Sequence, residues 1–123
     1  MTTTTTTDFA EQPLATASAL PARYYSGAVA SELDRRTVFA RGWQLVAHTA
    51  QLDHAGDHVV AEIAGVPLVV VRGDDGALRA LHNVCRHRAG PLATCAGRGA
   101  KRLRCHYHGW TYALDGQLLS APE

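Results

Sequence analysis

Two short segments of this chain read Cys85-Arg86-His87 and Cys105-His106-Tyr107-His108. Seventeen residues, 88–104, lie between them. Each segment supplies one thiol and at least one imidazole, and each is followed by residues that favour turns, Gly90-Pro91 after the first and Gly109 after the second. The two segments therefore predict a pair of loops that can face each other.

Four side chains in these segments are candidate metal ligands: Cys85, His87, Cys105 and His108. Two thiolates and two imidazoles suit a tetrahedral zinc ion. The same set suits an iron–sulfur cluster in which two histidines replace two cysteines on one of the irons. The types of ligand alone leave both possibilities open.

The sequence around these segments resembles the Rieske [2Fe–2S] signature of ring-hydroxylating oxygenase α subunits. The resemblance is carried by HNVCRHRAGPL at 82–92 and YHGWTY at 107–112, and upstream by PARYY at 21–25 and FARGWQLV at 39–46. It covers roughly residues 20–123. One departure is His106, which stands where the family usually has proline and which adds a spare imidazole to a less rigid loop.

The resemblance implies a [2Fe–2S] cluster with Cys85 and Cys105 on one iron and His87 and His108 on the other. Histidine ligands place the reduction potential in a window of about −150 to +300 mV. Trp110 stands where high-potential members have a serine that bonds to cluster sulfur, so we expect the low part of this window. Tyr112 matches a family tyrosine that bonds near a ligand cysteine. Ordinary core packing remains open for both aromatic residues.

Residue periodicity predicts an all-β, antiparallel sheet domain with two cluster-binding loops, preceded by one short N-terminal helix. Residues 1–20, rich in Thr, Ala and Pro, are expected to form a flexible leader, and 21–123 to form the Rieske domain, truncated at its C-terminus. The helix is expected over about residues 28–40, with Ser26 as its cap and Gly42 ending it. The predicted strands are 43–48, 58–64, 67–72, 77–84, 101–105, 110–114 and 117–119.

Composition places this chain of 123 residues in a single domain, with no apolar run long enough to cross a membrane. Mitochondrial-type Rieske proteins carry an extra cysteine in each loop, joined as a disulfide, and Gly90 and Tyr107 occupy those places here. The absence of this disulfide and of a secretory signal favours the cytoplasm. The third cysteine, Cys95, is either an incidental free thiol between the loops or a redox-sensitive or spare metal-binding thiol.

Basic residues are concentrated around the candidate ligands, and no Asp or Glu occurs from Gly76 to Leu114. This charge could ease reduction of the cluster, steer an acidic electron donor or meet carboxylates of a neighbouring subunit. A solvated basic face is the alternative, and nucleic-acid binding is not expected. The basic residues are Arg79, Arg86, Arg88, Arg98, Lys101, Arg102 and Arg104.

The resemblance implies an N-terminal fragment of a Rieske non-haem iron oxygenase, of the aromatic-ring-hydroxylating or choline-monooxygenase-like kind. Its cluster would relay electrons from a reductase or ferredoxin to a mononuclear Fe(II) in a later domain, in a subunit that commonly forms a homotrimer. This chain shows no second set of two histidines and a carboxylate for that iron; His54 and His58 are spaced i, i+4 but lie in a predicted turn. The alternatives are a stand-alone Rieske ferredoxin and a structural zinc module.

Overall fold

The structure, a computed structural model, describes residues 6–122 and divides them into two compact units, one ending at Gly42 and the other beginning at Trp43. The first five residues of the predicted leader lie outside the described part. Two later residues of the leader contact Tyr24, which follows it: the Tyr24 hydroxyl donates to the Asp8 carboxylate at 2.7 Å, and the rings of Phe9 and Tyr24 meet edge to face at 5.2 Å. The flexibility of the leader stays a prediction.

The predicted helix is present in the first unit. Helix α1 spans Ala28–Asp34 and continues without a break as a π-helical turn over Arg35–Phe39. The predicted cap was wrong: Gly27 is the N-cap residue, and the Ser26 hydroxyl donates instead to the Ala22 carbonyl at 3.3 Å. Ser26 belongs to the turn that precedes the helix, so its hydroxyl is already bonded backwards along the chain.

The second unit contains two antiparallel three-stranded sheets, which confirms the predicted fold class. The first sheet is the meander β1-β2-β3, in which Val69 pairs with both Val60 and Leu81. The second is the smaller meander β4-β5-β6. The strands are β1 His58–Ile63, β2 Val66–Arg72, β3 Leu78–His82, β4 Leu103–Arg104, β5 Thr111–Tyr112 and β6 Leu118–Ser120.

The strand predicted at 43–48 was wrong. This segment has no regular secondary structure and pairs with no strand among the described residues. Val46 and Ala47 pack against a small buried cluster of Leu52, Val59 and Val70, so their apolar side chains are partly buried without a ladder of hydrogen bonds. The backbone N–H of His48 bonds to the Gln51 side chain at 2.9 Å and so closes a 3₁₀ turn instead.

The main core joins the two sheets to the candidate ligand loops. Nine buried residues form it, and both loop cysteines are among them. The first loop follows β3, and the second connects β4 to β5, so strands hold the ends of the segments that carry the ligands. The core residues are Val69, Val71, Cys85, Leu92, Ala93, Leu103, Cys105, Tyr112 and Leu114.

Within residues 6–122, no helix combines the length and the apolar character that crossing a lipid bilayer requires.

Candidate metal centre

The two candidate loops, residues 85–90 and 105–110, share one backbone pattern. In the first loop the N–H of Cys85 donates to the carbonyl of Gly90 at 2.8 Å, and the N–H of Ala89 donates to the carbonyl of Cys85 at 2.9 Å. The second loop repeats both bonds at the equivalent positions, each at 2.9 Å. The fifth residue of each loop is left-handed, with φ of 57° at Ala89 and 76° at Gly109. Two copies of one loop conformation thus present the candidate ligands.

The two cysteines lie together at the buried end of the loops. Cys85 is 2% exposed and Cys105 is 3% exposed, both belong to the same buried core, and the Cys105 thiol helps to lower the pKa of Cys85. Gly90 allows this approach, because a Cβ at that position would lie only 3.2 Å from the Cys105 Sγ. The first loop therefore passes directly over the sulfur of the second.

Cys85 is surrounded by hydrogen-bond donors. The Tyr112 hydroxyl lies 3.3 Å from its Sγ, and the same hydroxyl accepts from the N–H of Arg86 at 3.1 Å. Burial raises the pKa of the Cys85 thiol, but bonds from Tyr112 and from the backbone N–H groups of His87 and Arg88 outweigh it. The net effect is a lowered pKa, which favours the thiolate form that binds metals.

The two imidazoles lie together at the exposed end of the loops. The ring centroids of His87 and His108 are 4.6 Å apart, with their planes at 69°. Trp110 stacks on His87 with centroids 5.0 Å apart and planes only 9° from parallel, and Tyr107 lies 4.0 Å from His108 at a tilt of 43°. Each imidazole is therefore backed by one aromatic ring of the second loop.

The electrostatics at this end favour neutral histidine. Partial burial lowers the pKa of His87, and the nearby His108 and Arg88 lower it further. Neutral imidazole is the form that coordinates a metal, because protonation occupies the nitrogen lone pair. The environment of His87 thus suits a ligand.

Two buried polar side chains anchor the chain on either side of the first loop, and sequence reasoning did not assign these roles. The side-chain Oδ1 of Asn83 accepts from the N–H groups of Leu92 and Ala93 at 2.9 and 3.0 Å, and its side-chain Nδ2 donates to the Ala93 carbonyl at 2.7 Å. These three bonds close the segment that contains the loop. The sequence signal that could have indicated this role is the position of Asn83, a polar residue directly after a strand and two residues before the candidate ligand Cys85.

Asp57 is the second anchor. Its carboxylate is 2% exposed and accepts from the N–H of His54 and of Gly99, each at 3.0 Å. The bond from His54 closes a local turn, whereas the bond from Gly99 comes from 42 residues further along the chain. Asp57 therefore fixes the inter-loop segment to the start of β1.

The remaining candidates lie away from this cluster or contribute no described contact to it. Cys95 is an exposed free thiol on the inter-loop segment. The exposed His54 lies 3.6 and 3.8 Å from the carboxylates of Asp53 and Asp57, and the His58 ring approaches the carbonyl of Gly56 at 3.1 Å. His106 is exposed within the second loop.

The arrangement offers two pairs of donors rather than one group of four. The described residues contain no group of three or more His, Cys, Asp or Glu side chains placed to hold a metal ion. A buried pair of thiols and an outer pair of imidazoles instead suit two adjacent metal positions with different ligands. A [2Fe–2S] cluster with two cysteines on one iron and two histidines on the other has this requirement, so the residues present fit such a cluster.

Comparison with known proteins agrees with this fit. The family model described as the Rieske [2Fe–2S] domain matches residues 42–123, and the chain belongs to this family. The cofactor of the family is the [2Fe–2S] cluster that its name describes.

Individual relatives show which oxygenase subunits the chain is similar to. The carnitine monooxygenase oxygenase subunit of Escherichia coli K12 is 43% identical over 102 residues, which are 83% of this chain and 27% of that protein. The glycine betaine monooxygenase oxygenase subunit of Chromohalobacter salexigens is 41% identical over 104 residues, covering 85% of this chain and 23% of its own length. This chain thus spans about a quarter of the curated relatives it matches.

A solved structure shows the same fold. This chain superposes on a quaternary ammonium Rieske monooxygenase with a TM-score of 0.79 at 35% identity, covering 84% of this chain and 28% of that one. The description of that structure names carnitine oxidation and inter-subunit electron transfer. The oxygenase-subunit resemblance expected from the sequence is therefore confirmed.

Proposed function

We propose that this chain is the electron-relay domain of a Rieske oxygenase subunit, with Cys85 and Cys105 as ligands of one iron and His87 and His108 as ligands of the other. When bound, the cluster supplies one-electron redox chemistry. The observation that carries the proposal is the separation of the donors into a buried thiol pair and an exposed imidazole pair on two loops of identical backbone pattern.

The described residues have different roles in such a relay. The Tyr112 hydroxyl and the backbone N–H groups near Cys85 place hydrogen-bond donors at the sulfur end, where negative charge increases on reduction. The two imidazoles extend to the surface, so they are the route by which an electron enters or leaves. The buried cysteines keep water away from the inner side.

Charge around the imidazoles supports a protein partner with exposed carboxylates. Among residues 6–122, five exposed cations that lie within or close to the loops in sequence form no ion pair, whereas Arg79 is paired with Asp75 and Arg98 with Asp57. Unpaired cations beside an exposed redox centre attract an acidic surface and raise its rate of encounter. The five cations, here called the basic rim, are Arg86, Arg88, Lys101, Arg102 and Arg104.

The electron donor on this proposal is a reductase or ferredoxin, and the acceptor is a mononuclear Fe(II) site of the longer oxygenase. A neighbouring subunit is a second partner, supported by the inter-subunit electron transfer described for the related monooxygenase. The cytoplasm is the proposed compartment, since the ligand thiols must stay reduced until they bind iron.

The substrate of the longer protein is proposed from its relatives. The relatives are named for carnitine and glycine betaine, and the solved structure for quaternary ammonium compounds. We infer a quaternary ammonium substrate for the longer oxygenase. Oxygen uptake by the complete oxygenase with its reductase, compared between carnitine, glycine betaine, choline and an aromatic hydrocarbon, tests this inference. Uptake with the hydrocarbon alone would contradict it.

The ligand assignment is tested by two substitutions. Cys105→Ala should abolish cluster assembly, because a buried thiolate ligand is lost. His108→Cys should retain some cluster at a sharply lower potential, because a thiolate donates more negative charge than an imidazole. Iron and acid-labile sulfide per chain and the electron paramagnetic resonance spectrum of the reduced protein measure both. A normal cluster in the alanine variant would refute the assignment, and zinc without sulfide in the wild type would favour the zinc module.

The stand-alone ferredoxin makes a different prediction for the same protein. A free carrier would exchange electrons with a separate oxygenase, whereas an oxygenase domain delivers them within its own assembly. Reduction of the isolated protein by a cognate reductase, followed by mixing with an unrelated terminal oxygenase, separates the two. If the mixture turns over at a rate comparable to that obtained with an established Rieske ferredoxin, the chain is better described as a stand-alone ferredoxin.

A further inference from the structure

Trp110 has a contact that neither the cluster nor the core requires. Its indole lies parallel to the His87 ring, 9° from coplanar, with the centroids 5.0 Å apart. Aromatic pairs at this separation and angle are in the offset-stacked arrangement that is favourable beyond simple area burial. The contact joins the second loop to the candidate ligand of the first loop.

Nothing else in the described structure fixes the plane of His87. Metal-ligating histidines usually donate their second ring nitrogen to a carboxylate or carbonyl, which sets the orientation of the ring. Within residues 6–122 the His87 ring has no hydrogen bond of this kind, and its ring contacts are His108 and Trp110. The His108 contact is between two candidate ligands, so Trp110 is the supporting neighbour.

Trp110 is itself held firmly. Its backbone carbonyl accepts from the N–H of Cys105 at 2.9 Å, and its side chain packs against the main core. Because the Trp110 indole is anchored at both its backbone and its side chain, it can fix the orientation of the less constrained His87 ring. The exposed Tyr107, 63% accessible and tilted at 43° to His108, lacks this anchoring to the core.

We propose that Trp110 is a positioning residue that sets the plane of the His87 imidazole and shields one face of it from water. This inference rests on the proposed role of His87 as a cluster ligand. Removing the indole frees the ring to rotate and exposes its face. A more polar surrounding stabilises the extra negative charge of the reduced state, so the reduction potential should rise.

The test uses Trp110→Leu and Trp110→Phe in the cluster-loaded protein, with Tyr107→Leu as the matched control on the other imidazole. Iron and sulfide content, the redox midpoint, and the nitrogen couplings of the reduced cluster by electron–nuclear double resonance are measured for each. We expect Trp110→Leu to retain cluster, raise the potential and change one of the two histidine coupling sets. Trp110→Phe should do the same to a smaller extent, and Tyr107→Leu should leave that coupling set unchanged.

Several outcomes would overturn the inference. Unchanged couplings and potential in Trp110→Leu would refute it, and so would the same coupling set responding equally to Tyr107→Leu. If the leucine variant loses its cluster, Trp110→Phe decides: couplings and potential identical to the wild type would then reduce Trp110 to a packing residue. Failure of the wild type itself to hold two irons and two sulfides would instead refute the proposed function.

Discussion

At the scale of single residues, the site depends on a few side chains that hold sulfur, imidazole and backbone in place. The Tyr112 hydroxyl lies 3.3 Å from the Cys85 Sγ, and burial together with that sulfur raises the pKa of the tyrosine. Tyr112 therefore remains a neutral phenol, able to donate its proton to sulfur at ordinary pH. The sequence matched Tyr112 to a family tyrosine that bonds near a ligand cysteine, and the structure places its hydroxyl beside Cys85, the proposed ligand.

Replacing this tyrosine should lower the reduction potential of the cluster. Tyr112→Phe removes one hydrogen bond to a sulfur that becomes more negative on reduction. The fall equals the difference in bond strength between the reduced and oxidised states; because a bond to a charged group contributes about 1.5–3 kcal/mol in all, the fall should not exceed a limit on the order of 65–130 mV for one electron. A redox titration followed by visible absorbance measures it. Tyr107→Phe is the control and should leave the midpoint in place; an equal fall in both variants would contradict the argument.

The equivalent left-handed residues of the two loops give a paired prediction. Ala89 adopts φ of 57°, and an L-residue with a Cβ pays about 1–2 kcal/mol for that conformation. Ala89→Gly relieves it but adds about 0.4–1 kcal/mol of unfolded-state entropy, so we expect a small gain in thermal stability of the cluster-loaded protein. Gly109→Ala imposes the same strain and should lower the thermal midpoint. Shifts of the same sign in both variants would show that backbone strain does not control the loops.

At the scale of elements, the two loops approach each other closely enough to be joined covalently. A Cβ built on Gly90 would lie 3.7 Å from the Cβ of Tyr107, within the usual range of about 3.5–4.5 Å for disulfides. These are the positions that hold extra cysteines in mitochondrial-type relatives of the fold. The geometry of this chain thus retains room for a bridge that its sequence does not contain.

The double variant Gly90→Cys/Tyr107→Cys should therefore form a disulfide under mild oxidation. Closing an 18-residue loop would stabilise the fold by about 3 kcal/mol in the chain-entropy model, less the cost of crowding Cys105. Peptide mapping without reductant identifies the bridge. The control Gly90→Cys/His106→Cys should form it poorly, and preferential bridging in that control would contradict the predicted loop geometry.

The anchor at Asp57 gives a prediction about acid stability. The backbone N–H of His54 donates to the Asp57 carboxylate and lowers its pKa. The N–H of Gly99 and the charge of Arg98 lower this pKa further. The folded state therefore holds the carboxylate charged at pH values where the unfolded chain has begun to bind a proton. The stabilisation is complete above the ordinary carboxyl pKa of about 3.9 and is lost as pH falls below it.

Asp57→Asn should lower the thermal midpoint at neutral pH and flatten its dependence on pH below about 4. Thermal unfolding of the cluster-free and cluster-loaded proteins between neutral and acid pH measures both effects. Asp53→Asn, at an exposed neighbouring position, should leave the curve nearly unchanged. An undiminished acid dependence in Asp57→Asn would place the responsible carboxylate elsewhere.

The sequence predicted elements well where local pattern and tertiary contacts agree. Periodicity predicted strands over 67–72 and 77–84; the structure has β2 over Val66–Arg72 and β3 over Leu78–His82, with Gly76 at φ of 78° in the turn between them. It failed at 43–48, where Val46 and Ala47 pack against a small buried cluster but the backbone pairs with no strand among the described residues, and at Ser26, whose hydroxyl bonds to the earlier Ala22 carbonyl. It could not place Asn83, Asp57 or the Trp110–His87 stack, because each depends on contacts between separate segments.

At the scale of the whole molecule, charge around the exposed imidazoles should control the encounter with an electron donor. The basic rim has no acidic partner among the described residues, so its field extends into solvent over a Debye length of about 8 Å at physiological salt. Arg79 carries the same charge but is compensated by two hydrogen bonds to Asp75. The two kinds of arginine provide a matched comparison.

Arg86→Gln/Arg88→Gln should slow reduction of the cluster by a cognate reductase by about tenfold at low salt, with the difference shrinking as salt increases. Arg79→Gln should have little effect. Stopped-flow reduction at several ionic strengths measures these rates. A salt-independent slowing, or an equal effect at Arg79, would show that the rim does not steer the donor.

The two tryptophans of the chain occupy opposite environments. Trp43 is fully exposed, whereas Trp110 is half-buried against His87 and the core. An iron–sulfur chromophore absorbs across the near ultraviolet and visible and extinguishes the emission of an indole a few ångströms away far more than that of a distant one. Intrinsic fluorescence should therefore contain a red-shifted component from Trp43 that persists and a component from Trp110 that disappears when the cluster binds. The loss of the Trp110 component then reports the fraction of protein that holds the cluster.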